Sequence, residues 1–280
     1  MVDPTDPAEV ARAFGAADAK LLGSGTFGDT YLIRGVPGMS EPSAVKLLKP
    51  SSYDKRRAER EMSGMRRFDG SGVAKLLDVR TLDIDGSERV ALVCEYIEGG
   101  NVQARLDQED LPSHKHLRKF AAGLLATVAQ LHATETCHRD IKPLNILLRD
   151  GKWARPVLID FGMSRLISDT TITEFGAFVG SWGFMPPEHL SGEPARKSAD
   201  LWACGVTLHL LATGEHPFVP SGAGPMSVED LLALVSGAAR PLPPDLPDDL
   251  RSVVQRLLSE VPHQRGTARR ALKDLDESER

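Results

Sequence analysis

Residues 138–145 read His-Arg-Asp-Ile-Lys-Pro-Leu-Asn and bring a carboxylate, an ammonium and an amide together: Asp140, Lys142 and Asn145. Downstream, Asp160 precedes Phe161 and Gly162. These types suit phosphoryl transfer. Asp140 can orient an attacking hydroxyl and accept its proton. Lys142 can neutralise charge on the group being transferred. Asn145 and Asp160 offer the oxygen ligands that a hard Mg²⁺ ion takes. Each residue singly is an ordinary turn former; that explanation fails for the set in this order.

A second group lies near the N-terminus. In "KLLGSGTFGDTYLIRG", residues 20–35, Gly23, Gly25 and Gly28 have the G-x-G-x-x-G spacing that lets a backbone approach phosphates. The β-forming Thr30, Tyr31, Leu32 and Ile33 follow. A dinucleotide-binding turn needs a helix there. The loop is therefore expected to join two strands and cover phosphates through its N–H groups, with a plain glycine hairpin as the alternative. Lys46 then sits in an apolar run, residues 44–48. Either it reaches solvent from a strand edge, or it is held for phosphate oxygens and oriented by a carboxylate. Glu59 and Glu61 compete for that role on a stretch whose Ala58, Met62 and Met65 recur at helical spacing. Glu61, at the border of this stripe, is preferred.

The elements that must position these residues are legible in outline. Two short apolar runs around Asp150-Gly151 predict a hairpin between the loop and Asp160. Residues 114–136 read as a long helix burying Leu117, Phe120, Ala121, Leu124 and Leu125. Residues 199–213 are apolar nearly all round, as a central helix should be, so Trp202 and Cys204 there read as core. Further helices are expected near 227–236, 247–259 and 267–276, with the proline-rich 241–248 as a rigid loop between two of them. A formal charge of -5 argues against general nucleic-acid affinity. There is no apolar run of bilayer length, and the acidic start "MVDPTDPAEV" lacks the form of a signal peptide. The scattered Cys94, Cys137 and Cys204 point to a reducing compartment. A cytoplasmic protein is expected.

With "GSGTFG", "AVK", "CHRDIKPLN", "DFG", "GSWGFMPPE" and "DLWACG" in this order, the chain resembles a eukaryotic-type (Hanks-type) Ser/Thr protein kinase of the bacterial kind. The resemblance runs from about residue 20 to residue 205, and Arg265 extends it. It implies an α+β, bilobal kinase fold within a single domain, 1–280. The small β-rich lobe with one main helix would span about 16–95, and the larger helical lobe about 98–276, with ATP in the cleft between them. It also implies residue roles. Gly23, Gly25 and Gly28 would cover the ATP phosphates. Lys46 would contact the α- and β-phosphates and pair with Glu61. Backbone groups of Glu95 and Ile97 would bind adenine beside Cys94. Asp140 would be the catalytic base, with Lys142 beside the transferred group, and Asn145 and Asp160 would hold Mg²⁺ or Mn²⁺. Glu188 would pair with Arg265, and Asp200 would brace the catalytic loop.

The departures are conservative. Thr30 stands where valine is usual, Pro186 where alanine is usual, and Cys94 is a small gatekeeper. None removes a reacting group. Lys142 and Ser181 resemble the Ser/Thr class, so protein serine and threonine hydroxyls are the expected substrates. The rival readings are a scaffold without chemistry and a small-molecule phosphotransferase of kinase-like fold. The first usually loses Lys46, Asp140 or Asp160, all present here; the second generally lacks the long segment before Pro187-Glu188. That segment carries Ser168, Thr170, Thr171 and Thr173. With Arg139 and Arg165 as phosphate ligands, autophosphorylation in trans at Thr171 or Thr173, with Thr170 ranked behind them, is expected, through transient self-association.

Overall fold

The computed structural model describes residues 3–25, 28–49, 72–84, 86–160 and 182–276. The chain divides into two compact units. One runs from the N-terminus to Ile97, the other from Glu98 to the C-terminus, with Gly72 and Val73 in the second.

The first unit opens on helix α1, Pro7–Phe14. The Asp6 carboxylate accepts from the Ala8 N–H at 2.9 Å, Pro7 fills the first turn, and Gly15 ends the helix at φ 61°. An antiparallel sheet follows: β1 Asp18–Ser24, β2 Gly28–Arg34, β3 Ser43–Leu48, β4 Leu76–Ile84 and β5 Ser87–Glu95, in the order β1-β2-β3-β5-β4. Strand alternation sorts its faces. Val45 and Leu47 of β3 cluster with Tyr31, Ile33, Ala91 and Val93, and with Val10 and Phe14 of α1. Lys46 lies between them in sequence and faces the other way, opposite Thr30 on β2 and Leu92 on β5. Helix α1 therefore covers the sheet face away from Lys46. The Tyr31 hydroxyl donates to the Thr5 carbonyl at 2.7 Å, and Arg80 lies 5.4 Å from the Phe14 ring centre. Sequence reading began the small lobe near residue 16; α1 lies ahead of that point and packs into the same unit.

In the second unit, α2 (Val102–Leu106) leads to α3 (His114–Ala133). Helix α3 buries Leu117, Phe120, Ala121, Leu124 and Leu125 as expected, and Val128 and Leu131 beyond them. It stops three residues before the expected end, because Glu135 turns left-handed at φ 55°. The expected hairpin is β6 Ile146–Leu148 paired with β7 Pro156–Leu158, and Asp150, at φ 57°, makes its turn. Next come α4 (Pro187–Leu190) and α5 (Lys197–Thr213), which is buried on nearly every side. The remaining helices are α6 Val228–Val235, α7 Asp248–Leu257 and α8 Ala268–Asp276. The loop between α6 and α7 runs over 236–247 and takes in the proline-rich stretch as expected, except that Asp248 already opens α7. Trp202 of α5 stacks on Phe218 at 5.2 Å within a cluster that takes in Leu190, Leu231 and Val235. Among the described residues, no helix is long and apolar enough to cross a membrane.

Candidate active site

The loop after α3 is built around one buried carboxylate. Asp200 of α5 accepts from the backbone N–H of His138 at 2.8 Å, that of Arg139 at 2.7 Å, and His132 Nε2 at 2.8 Å. These bonds hold Arg139 at φ 71°, a region that side-chain-bearing residues enter at a cost. His138 is fully buried. Its Nε2–H donates to the Ile159 carbonyl at 3.1 Å, so Nδ1 is the acceptor for the Asp140 N–H at 3.3 Å. Burial pushes its pKa down, against the pull of Asp200 and Asp140, and the ring stays neutral. His132, Cys137 and Asp200 bring three possible metal donors within 4.8 Å of one another. Asp200 already accepts three hydrogen bonds there, so the trio reads as a brace.

This frame presents the Asp140 side chain. Lys142 Nζ lies 2.8 Å from each of its carboxylate oxygens, and Asn145 Nδ2 lies 2.7 Å from Oδ2. The same Nδ2 reaches the Asp140 carbonyl at 2.9 Å. Both amide hydrogens are thus committed, and Asn145 has Oδ1 left to offer a cation. A 3₁₀ turn, Pro143–Asn145, closes on the Asn145 N–H to Lys142 carbonyl bond at 2.9 Å. Ile159 N–H then donates to the Asn145 carbonyl at 2.9 Å, which ties the turn to the strand leading into Asp160. Asp160 adopts φ 60°. Asp140, Lys142, Asn145 and Asp160 therefore belong to one hydrogen-bonded loop and hairpin. The Asp140 side chain stays 35% exposed against 12% for Lys142, which leaves the carboxylate accessible to an incoming hydroxyl.

In the first unit the glycine stretch joins β1 to β2, as expected, and starts no helix. The Gly25 N–H donates to the Gly28 carbonyl at 3.0 Å, and Lys49 Nζ donates to the Gly25 carbonyl at 2.7 Å. A Cβ on Gly28 would run into the Leu47 carbonyl oxygen of β3, so the sheet itself demands glycine there. Gly23 has open space around its Cα and Gly25 only ordinary contact. Glu95 ends β5, its N–H donating to the Lys75 carbonyl at 2.8 Å, and Ile97 is buried. Glu61, its competitor Glu59 and the helical stripe Ala58, Met62 and Met65 lie outside the described residues. So do Phe161, Gly162, Arg165, Ser168, Thr170, Thr171, Thr173 and Ser181.

Two supports were read correctly in the sequence. Arg265, fully buried, pairs with Glu188 through two bonds of 2.6 and 2.9 Å and lies 4.8 Å from the Trp202 ring centre. Asp200 braces the loop as described. Sequence reasoning missed His132, whose only signal is its place at the end of a helix ahead of the loop. It also missed His189. This residue lines a cavity of about 20 Å³ with Arg139, Asp140 and Phe184. Burial, then the Arg139 charge, hold its pKa below the ordinary value.

A β-rich unit, a helical unit and a carboxylate–ammonium–amide loop followed by Asp160 are the parts of a kinase architecture. The protein kinase domain model matches residues 17–275, and the chain belongs to that family. It is 30% identical over 98% of its length to the probable serine/threonine-protein kinase PkwA of Thermomonospora curvata, and spans 36% of that protein. It is 31% identical over 89% of its length to the serine/threonine-protein kinase PkaA of Streptomyces coelicolor, and spans 45% of that one. A crystal structure of Rad53 1–466 in complex with AMP-PNP superposes with a TM-score of 0.73 at 20% identity, over 94% of this chain and 65% of the other. The chain thus carries a protein kinase domain similar to those of proteins named as Ser/Thr kinases, and its fold is the protein kinase fold.

Proposed function

We propose that this chain is an active kinase that uses ATP and Mg²⁺ to phosphorylate serine and threonine hydroxyls of proteins. The observation that carries the reading is the Asp140 carboxylate, pinned by Lys142 and Asn145 yet accessible. A substrate hydroxyl donating to Asp140 would be oriented for attack and relieved of its proton as the new P–O bond forms. Lys142 would follow charge from Asp140 to the transferred group. Lys46, on the face away from α1, would bind the α- and β-phosphates and pair with Glu61. Gly23 and Gly25 support the lid role, because no packing within the described residues asks for glycine at either. Backbone groups of Glu95 and Ile97 would receive adenine. The AMP-PNP complex of the Rad53 neighbour supports the nucleotide.

The donor set fits a hard cation: Asn145 Oδ1, with its amide hydrogens committed elsewhere, and the Asp160 carboxylate. When bound, Mg²⁺ or Mn²⁺ would offset the phosphate charge. Activation follows the same chemistry. A second copy would phosphorylate Thr171 or Thr173, and Arg139, beside Asp140, would receive the phosphate. A cytoplasmic location suits the need for ATP.

The test is transfer of labelled γ-phosphate to a generic basic protein by the wild type and by Asp140→Asn. The reading expects transfer by the first and almost none by the second. Equal transfer would remove Asp140 from its role. Nucleotide binding without transfer by the wild type would favour a scaffold.

A further inference from the structure

The brace behind the catalytic loop also gathers metal donors of a particular kind. They are an imidazole, a thiol and a carboxylate: His132 near the end of α3, Cys137 just ahead of the loop, and Asp200 of α5. One donor atom from each lies within 4.8 Å of the others. All three residues belong to the second unit. Phosphoryl transfer does not use the thiol, and the oxygen donors Asn145 and Asp160 form a separate set. Nitrogen, sulfur and a carboxylate oxygen together are the mixture that Zn²⁺ takes, whereas Mg²⁺ takes oxygens.

The hydrogen bonds permit the exchange. Asp200 Oδ1 accepts the Arg139 N–H at 2.7 Å, and Oδ2 accepts from the His138 N–H and from His132 Nε2, each at 2.8 Å. Only the last of these bonds has to be given up. A metal with bonds of about 2.0–2.1 Å to Nε2 and Oδ2 holds those atoms about 3.3 Å apart, so the pair opens by about half an ångström. His132 then carries its ring hydrogen on Nδ1, and the Cys137 thiol proton leaves to solvent. Water completes the tetrahedron. The Asp200 side chain is 1% exposed and that of His132 10%, while Cys137 is partly exposed, so an ion enters past the thiol.

The surroundings favour a cation at this thiol. The Glu135 carboxyl is held below its ordinary value first by its hydrogen bond to Lys197 and also by the nearby His132, which puts a further negative charge beside the trio. Cys204, one turn along α5, also feels Asp200. Complete burial pushes its pKa well up and keeps it protonated, so it is no ligand.

We propose that His132, Cys137 and Asp200 form a Zn²⁺ site that ties α3 to α5 behind the catalytic loop. The metal replaces one strut of the brace, the His132–Asp200 hydrogen bond, and leaves the two bonds to the loop backbone in place.

The test uses the whole chain, stripped with a chelator and kept reduced, in excess Mg²⁺ so that oxygen-donor sites are filled. Zn²⁺ binding is followed by calorimetry, with Co²⁺ as the coloured substitute. One Zn²⁺ per chain is expected, with a rise in melting temperature because the metal binds the folded state. Co²⁺ should give a thiolate-to-metal charge-transfer band and the visible bands of a four-coordinate ion, both removed by Zn²⁺. Cys137→Ser should abolish the charge-transfer band and weaken Zn²⁺ binding by at least about tenfold, since even outer-shell partners are worth that much. Cys94→Ser should keep both. If Cys137→Ser fails to fold, the wild-type spectrum and Cys94→Ser decide. No binding in Mg²⁺, Co²⁺ bound without the thiolate band, or a band lost in Cys94→Ser would overturn the site. The kinase reading stands or falls separately, on transfer from ATP.

Discussion

At the level of single residues, the Arg265 charge is buried and fully partnered. Arg265 has no exposed surface, and it holds Glu188 by a two-pronged pair while its remaining donors reach the Ser198, Ser259 and Glu260 carbonyls. Removing Glu188 leaves an uncompensated guanidinium in the interior, so Glu188→Ala should lower stability by about 3–5 kcal/mol in urea unfolding. An effect below about 1 kcal/mol would mean that water or a neighbour replaces the carboxylate. Asp200 has a different weight, because its acceptors hold two consecutive backbone N–H groups of the catalytic loop. Asp200→Ala should reduce kcat by about a hundredfold or more through loss of positioning. Nucleotide affinity, measured separately, should change much less.

At the element scale, the turn carrying His216 makes an acid-sensitive joint. His216 Nε2–H donates to the Gly183 carbonyl at 3.1 Å, while Nδ1 accepts from Phe218 and Val219 N–H at 3.2 and 3.0 Å. A proton on Nδ1 would break both acceptor bonds. Burial, chiefly, holds the pKa down to about 4 from 6.5. Between those values the unfolded chain binds the proton and the folded chain does not. The stability contributed is complete above about pH 6.5 and is lost as pH falls toward 4, in all about 3 kcal/mol. Melting temperature should therefore drop between pH 7 and pH 5, and His216→Phe should show a shallower drop from a lower starting point. Helix α1 makes a second claim at this scale. Phe14 is buried against the sheet face away from Lys46, so Phe14→Ala should cost about 3–5 kcal/mol, seen in thermal or urea unfolding. An unchanged unfolding curve would mean that α1 does not belong to this core.

At the scale of the whole molecule, what the residues alone made legible was local, while the Glu188–Arg265 pair, 77 positions apart, and the Asp200 brace were legible only through the family resemblance. Asp140, Lys142 and Asn145 lie within six positions, so their spacing already specified a loop. The hairpin after it was visible because Asp150-Gly151 separates two apolar runs. Helix α3 showed its buried stripe but not its end, which is set by the left-handed Glu135. Helix α1 was read only as an acidic, proline-containing start. Its cap Asp6, Pro7 and the pair Val10 and Phe14 gain meaning once a sheet is there to cover. His132 meets Asp200 across 68 positions. No local period records such a contact, and the fold alone creates it.

The proposed reaction moves the γ-phosphoryl group of ATP onto serine or threonine hydroxyls, with Asp140 at the hydroxyl and a divalent cation at the phosphates. The most direct measurement is phosphoamino-acid analysis of a protein substrate incubated with γ-labelled ATP. The arms are wild type with Mg²⁺, wild type with excess EDTA, and Asp140→Asn with Mg²⁺, with nucleotide binding checked in the variant. Phosphoserine and phosphothreonine are expected in the first arm and almost none in the other two. Full labelling in EDTA or by Asp140→Asn, or label confined to tyrosine, would contradict it.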